Sequence, residues 1–287
     1  MIGLLAPLAV TYAAAAVVPA LARLIRPRHA ARLLASTIAA LIVASWATAT
    51  ALSLAYLAHH PLAGDRLRWC HDALGVHHPP PTIVGVAAVI TSISLTWRMI
   101  TVAWTWRRSC GTKAHQLHVV DSDRPVAYAE PGRLGGVVIT TALLDALTPA
   151  ERRAVLAHEH AHLRHRHDRH LALAATIDTA RPLRPLSECL RNALERWADE
   201  DAARSIGNRT TVATAIARAA LATTHGPAPA LAATGGDVPG RVLALLAPTP
   251  TNKRFDHASI AVAAVIGGTT LTQLHHLVAV IETLCHQ

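Results

Sequence analysis

The chain has 287 residues, of which 52% are hydrophobic, and it carries a formal net charge of +9. Ala, Val, Leu and Ile supply nearly all of the apolar content, and only one Phe and three Tyr are present, which argues against an aromatic-packed soluble core. The Lys and Arg residues cluster beside long apolar blocks, and no nucleic-acid-binding motif accompanies them, so we expect no direct nucleic-acid partner. Four cysteines without a CxxC pair exclude a cysteine zinc site and a CxxC redox motif.

Three apolar runs are long enough to cross a lipid bilayer as helices, and a fourth run is less regular. The three runs cover about 2–24, 33–58 and 82–106, and the fourth, from Ala258 to Ile281, is interrupted by Gln273, His275 and His276. No positive charge precedes the first run, which argues against a signal peptide. The sequence therefore predicts three transmembrane helices within residues 1–106 and a fourth within 257–287.

Basic residues predict the orientation of these spans, because Lys and Arg are enriched in cytoplasmic loops. The loop Arg23–Arg32 and the residues Arg107, Arg108 and Lys113 follow the first and third spans. We therefore expect a multi-pass protein of the bacterial cell membrane with its N-terminus, the loop His59–Pro81 and the short C-terminal tail outside.

Residues 107–256 form a polar region of domain size, which this orientation places in the cytoplasm. β-Branched stretches at Leu117–Val120 and Val137–Thr141 predict short strands. Thr148 is a good helix cap, and the helix that it opens is predicted to run past His170. A second helix is predicted from Pro185 to Ile206, ended by Gly207, and a loop over Gly226–Gly240.

The first of these helices contains an H-E-x-x-H motif, formed by His158, Glu159 and His162. Residues four apart lie on one helix face, so the two imidazoles can bind one metal ion. The carboxylate of Glu159 is then placed to hold a metal-bound water, whose pKa a zinc ion can lower to about 7. A basic, solvent-exposed helix face is the alternative, because the chain has 19 histidines and several of them crowd this helix.

The following helix carries a matching acidic pattern. Glu195 can complete a three-ligand zinc site with the fourth position open, and Asp199, one turn later, can accept a proton from the far nitrogen of a zinc histidine. Ala202 offers a small residue for close helix packing. An acidic surface patch is the alternative, and it fits Glu200 and Asp201 better than the Glu195 and Asp199 spacing.

Together these motifs resemble gluzincin membrane proteases. The resemblance rests on Leu134–Thr140, Leu147–Pro149, the H-E-x-x-H motif, Asp168 and the block Glu195–Ala202. It is nearest to the antirepressor sensor proteases of bacterial β-lactam resistance, and the heat-shock and CAAX-processing membrane proteases share the motifs. It implies a mainly α fold in which multi-pass transmembrane helices carry an inserted α+β zincin-type metalloprotease domain. The external penicillin-binding sensor domain of the antirepressor family is not expected here, since few residues follow the fourth run.

The resemblance also assigns roles to individual residues. It implies one zinc ion per chain held by His158, His162 and Glu195, with Glu159 as the general base. The strand formed by Gly136, Val137, Val138, Ile139 and Thr140 is expected to be the edge strand that pairs with an extended substrate. Arg241 matches a late family feature only in part, because Asp237 and Val238 stand where a His often precedes the Pro. Arg241 is therefore expected either to stabilise the oxyanion or to form a structural ion pair.

The favoured interpretation is a membrane zinc metalloendopeptidase that hydrolyses a protein or peptide substrate, for example a transcriptional repressor. A catalytically silent membrane signalling protein is the main alternative, and a His-rich zinc transporter is a weaker one. Asp168 is expected to anchor the end of the catalytic helix. Cys70 and Cys285 are placed outside, where a disulfide is permitted but two free thiols are equally expected, and Cys110 and Cys189 should be reduced.

Overall fold

The structure is a computed structural model, and it describes residues 2–59, 80–108, 116–132, 136–224, 237–248 and 253–285. It is mainly α-helical, with one small sheet. In chain order the elements are α1 (Ile2–Ala22), α2 (Pro27–Ala58), α3 (Thr82–Arg108), β1 (Gln116–Val120), β2 (Ala127–Ala129), β3 (Gly136–Thr140), α4 (Thr141–Ala146), α5 (Pro149–Arg164), α6 (His167–Ile177), a 3-10 turn (Arg181–Leu183), α7 (Arg184–Ile206), α8 (Arg209–Thr224), α9 (Val238–Leu246) and α10 (Lys253–Cys285).

The chain divides into two compact units. The first consists of Met1–Leu21, Ser36–Thr101 and Arg254–Gln287, and the second of Ala22–Ala35 and Val102–Lys253. The predicted domain boundaries at 106 and 256 fall close to two of these limits.

The first unit is built from apolar helices. Among the described residues, three helices have the length and composition to cross a membrane: Leu5–Ala22, Pro27–Ala58 and Thr82–Arg108. The fourth predicted span is helical as α10, but its described apolar stretch, Ile260–His275, is shorter than a bilayer requires. Its crossing of the membrane stays a prediction.

Polar side chains join the helices within this unit. Thr48 donates a hydrogen bond to the Gln273 side chain over 2.5 Å, and Thr11 and Thr269 lie 2.8 Å apart. Gln273, which interrupts the fourth apolar run, is only 2% exposed. The buried Gln273 side chain therefore has a hydrogen-bond partner inside the helix bundle, as expected for a polar residue on an apolar helix.

The sheet of the second unit has the order β1-β3-β2. β3 is parallel to β1, with Gln116 opposite Gly136, and antiparallel to β2, with Ala129 opposite Val137. All five residues of β3 are buried. The two predicted strands are confirmed to within one residue, since β1 also includes Gln116 and Thr141 already belongs to α4.

Helix α5 begins where the sequence predicts, because Thr148 and Glu151 form a reciprocal capping box and Pro149 occupies the first turn. Its predicted continuation past His170 is wrong: the helix ends at Arg164, and Arg166 adopts a left-handed conformation with φ 51° before α6 begins. Helix α7 ends as predicted, at Gly207 with φ 76°.

Helices α5, α7, α8 and α9 share a core of small side chains. Its buried members are Ala154, Ala202, Ala203, Val212, Ala213, Ala215 and Leu245. Ala202 is fully buried, which confirms its predicted packing role. Such small residues allow α5 and α7 to approach closely enough for their side chains to meet at one point. The predicted loop over Gly226–Gly240 falls mostly outside the described residues, and its last three residues are the start of α9.

Candidate metal centre

The three predicted ligands meet between α5 and α7. The Nε2 atoms of His158 and His162 lie 3.1 Å apart, and each lies 3.5 Å from a carboxylate oxygen of Glu195. Ligands about 2.1 Å from one tetrahedral zinc ion would be separated by about 3.4 Å. Among the described residues, these three form the group of metal-binding side chains that can reach one ion. The donor set and its spacing therefore fit a catalytic zinc ion.

Asp199 lies beside the outer nitrogen of the first histidine. Its Oδ1 lies 2.9 Å from Nδ1 of His158, a short contact although its angle is poor for a hydrogen bond. A proton on Nδ1 leaves Nε2 of His158 free for a metal ion, which is the role predicted for Asp199. Asp199 is only 1% exposed, so its charge needs a partner inside the protein.

Arg241 provides that partner. Its Nε and Nη2 donate to the two oxygens of Asp199 over 2.8 and 2.7 Å, and its Nη1 lies 3.0 Å from Glu195. Each of the three guanidinium nitrogens thus contacts a carboxylate oxygen. Of the two roles expected for Arg241, this geometry is the structural ion pair. The oxyanion role stays a prediction that the geometry does not support.

The second histidine has a partner that the sequence did not indicate. Nδ1 of His162 lies 2.9 Å from Nδ1 of His167, a fully buried residue at the start of α6. The ring of His167 lies against Trp197 of α7, with 5.0 Å between ring centroids. A continuous helix would have turned His167 away, and only the break at Arg166 brings it back. Residues five apart do not share a helix face, so the spacing from His162 gave no signal for this contact.

The charges of the site favour a cation. Burial opposes protonation of His158, but the carboxylates of Asp199 and Glu195 outweigh it and raise the pKa of His158 to about 10. Burial and the neighbouring His158 lower the pKa of His162 to about 4. Burial raises the pKa of the Glu195 carboxyl, but His158, His162 and Arg241 outweigh that effect and hold it well below its ordinary value. The carboxylate is thus ionised and ready to bind a metal ion.

Glu159 lies on the same cavity, next to the first ligand. Burial raises the pKa of its carboxyl, and this is opposed by His158 and by a hydrogen bond from the backbone of Ala129. A raised pKa brings a carboxylate closer to the range in which it can accept and return a proton near neutral pH. Glu159 and residues of β2 line the same cavity.

The strand beside the site is β2, and the expectation that β3 is the edge strand is wrong. β3 lies in the middle of the sheet, because β1 pairs with it on one side and β2 on the other. Glu130 donates to Gly136 and Thr140 donates to Val126, over 2.8 and 3.0 Å, so these backbone groups of β2 and its flanks face β3. Alternation along the strand then directs the backbone groups of Ala127 and Ala129 to the free edge.

A cavity of about 630 Å³ connects the ligands, Glu159 and β2. Its walls are mostly apolar and come from α4, α5, α6, α8 and β2, with Leu143, Val155, Leu171, Val212, Ile216 and Ala219 among them. A concave, mostly apolar site of this size with a few convergent polar groups is typical of a ligand-binding site.

Asp168 also borders this cavity, but it does not anchor the end of α5 as expected. It lies in the first turn of α6, and its Oδ2 is buried without a hydrogen-bond partner. The predicted Cys70–Cys285 pair lies outside the described side chains. Cys189 is a free thiol, in agreement with the expectation for it.

Comparison with known proteins supports a peptidase. Residues 100–224 match the family model of Peptidase family M48. A 70-residue stretch is 39% identical to the Protease HtpX homolog of Acidiphilium cryptum (strain JF-5), covering 23% of this chain and 24% of that protein. The chain thus aligns with about a quarter of the length of this relative. No solved structure matches. The matched residues 100–224 run from the end of α3 to the end of α8 and include the three candidate ligands.

Proposed function

We propose that the chain is a membrane zinc metalloendopeptidase whose general base is Glu159. The observation that carries the proposal is the meeting of His158, His162 and Glu195 at ligand spacing, beside Glu159 and a free strand edge. A zinc ion bound by these three residues would supply a Lewis acid and a water of lowered pKa. The similarity to M48 peptidases points to the same chemistry.

The remaining chemistry belongs to side chains of this chain. Glu159 takes a proton from the attacking water and can return it to the leaving amine. Asp199 and His167 hold the two imidazoles in the tautomer that leaves each Nε2 free. Arg241 keeps Glu195 and Asp199 ionised in a buried place.

The proposed substrate is an extended polypeptide that pairs with β2. Ala127 and Ala129 direct their N–H and C=O groups to the free edge of β2. A peptide added there would gain main-chain hydrogen bonds and run along the apolar cavity. A cytoplasmic regulatory protein such as a transcriptional repressor fits the proposed orientation, in which basic residues flank the cytoplasmic ends of the spans.

The test is zinc content and cleavage of a peptide library by the purified full chain. We expect the wild type to hold about one zinc ion per chain and to cleave, as the three-ligand site requires. Glu159→Gln should retain the metal and lose about 10²–10⁴-fold in rate, the contribution of a general base. Glu188→Gln, the same change at an exposed position of α7, is the matched control and should leave both measurements unchanged.

The possible results separate the alternatives. If the wild type binds no zinc, the ligand assignment is wrong. If wild type and Glu159→Gln both bind zinc and cleave equally, Glu159 is not the base. If both bind zinc and neither cleaves any peptide, the silent signalling protein becomes the better interpretation.

A further inference from the structure

A second cavity, of about 390 Å³, lies in the same unit as the metal centre. The start of α2 contributes Arg26 and Arg28 to its wall, and α7 and the start of α8 contribute Glu200, Arg204 and Arg209. The proposed proteolysis uses none of these residues.

The cavity has an excess of positive charge. Four arginines line it against one glutamate, Glu200, whose carboxylate is already bonded to Arg209 over 2.5 Å. Arg204 is paired with Asp201 over 2.6 Å. Among the described residues, no carboxylate forms an ion pair with Arg26 or Arg28, and Arg28 donates only to the neighbouring His29. Two guanidinium groups are therefore available to an anion.

Two arginines of the cavity lie close in the chain to the ends of candidate membrane spans. Arg26 is four residues beyond Ala22, the last residue of the first candidate span. Arg28 is five residues before Leu33, where the uncharged run of the second span begins, which is about 7.5 Å along a helix. The headgroup layer on each side of a bilayer is about 5–7 Å thick. Lipid phosphates and these two arginines thus occupy the same depth.

We infer that this cavity binds the phosphate headgroup of an anionic membrane lipid. Guanidinium groups bind phosphate oxygens in a planar, bidentate manner, and they lose less hydration than an ammonium group in doing so. The cavity also includes Pro27 in the first turn of α2, so the positive end of that helix borders it. Basic pockets beside transmembrane helices are the usual sites of such headgroups. A free phosphate ion shares the headgroup chemistry, but only a lipid is also held in place by its acyl chains in the bilayer.

The experiment is native mass spectrometry of the full chain in detergent, with equal amounts of phosphatidylglycerol and phosphatidylcholine. We expect the wild type to retain one phosphatidylglycerol in preference to phosphatidylcholine. The double variant Arg26→Gln, Arg28→Gln should bind phosphatidylglycerol about 30-fold more weakly, the effect of two cations at a lipid surface. The matched control is Arg107→Gln, Arg108→Gln, which removes the same charge beside the third span but away from the cavity, and it should behave like the wild type.

Three results would overturn the inference. In the first, the double variant keeps the wild-type preference for phosphatidylglycerol. In the second, the control variant loses as much affinity for phosphatidylglycerol as the double variant, and surface charge alone then explains binding. The third result is displacement of the lipid by equimolar inorganic phosphate. The cavity would then be a binding site for a soluble anion. Circular dichroism and thermal unfolding of the same preparations show that each variant is folded. Neither measurement depends on zinc or on proteolysis, so loss of lipid is distinguishable from unfolding and from failure of the proposed protease.

Discussion

Arg241 is the residue whose removal tests the electrostatics of the site most directly. It is 9% exposed and makes contacts of 2.7, 2.8 and 3.0 Å with Asp199 and Glu195. Replacement by leucine keeps much of the apolar stem but leaves the buried carboxylate of Asp199 and the partly exposed carboxylate of Glu195 without their cation. Removing one partner of a buried ion pair costs about 3–5 kcal/mol. For a chain of this size, such a loss corresponds to a fall in melting temperature of roughly 6–20 °C.

The assay is thermal unfolding of the full chain in mild detergent, first with a chelator and then with excess zinc. In chelator, Arg241→Leu should show the whole decrease. In zinc the decrease should be smaller, because the metal ion supplies positive charge next to Glu195. The matched control is Arg191→Leu. Arg191 also donates to both carboxylate oxygens of an aspartate, Asp178, but its side chain is 38% exposed and that of Asp178 is 36% exposed. Exposed pairs contribute about 0–1 kcal/mol, so this control should melt within about 4 °C of the wild type.

The reasoning fails if Arg241→Leu melts with the wild type in chelator, or if zinc leaves the difference unchanged. An unaltered melting temperature combined with a rate about 10²–10³-fold lower would instead restore the oxyanion role for Arg241.

Three further changes test other parts of the second unit. His167→Ala should weaken zinc binding by about 10–100-fold in a competitive titration, whereas His167→Asn, which keeps an acceptor for His162, should recover part of the loss. Glu151→Gln should destabilise the chain by about 1–2 kcal/mol at neutral pH. Burial raises the pKa of Glu151, but hydrogen bonds from Thr148 and the adjacent Arg218 hold it below 4.5. The stabilisation by the ionised Glu151 is therefore complete above pH 4.5 and should disappear as the pH falls further. Gly136→Ala should lower the melting temperature, because its Cβ would lie 1.9 Å from the Gln116 carbonyl oxygen.

The ligand set could be predicted because each of its parts is a local pattern. His158 and His162 share a helix face by their spacing, and Glu195 and Asp199 do so one helix later. The start of α5 and the end of α7 were equally local, fixed by the capping residue Thr148 and by Gly207. Only the packing of α5 on α7 is non-local, and the metal-ligand pattern itself requires that packing.

The sheet order could not be predicted, since it depends on pairings between distant segments. The β-branched stretch of β3 is typical of a strand, but the stretch does not reveal whether one or two neighbours pair with it. Two features of β3 are consistent with a central position. Its five residues, Gly136–Thr140, include no charged side chain, and Gly136 leaves room for the Gln116 backbone. β2, which takes the edge beside Glu159, has only three residues and a weak strand pattern.

The break after α5 escaped prediction because neither Gly nor Pro marks it. Arg166 adopts a left-handed conformation that costs an L-residue about 1–2 kcal/mol. Contacts on both sides of the turn offset that cost: Arg164 and His165 both bond to the buried Asp201, and His167 is enclosed by His162 and Trp197. In a continuous helix, five residues correspond to about 500°, so His167 would point roughly 140° away from His162. The strained turn is thus the feature that places a buried acceptor behind the second zinc ligand. A secondary-structure pattern alone could not reveal it, because its stability comes from residues of α7.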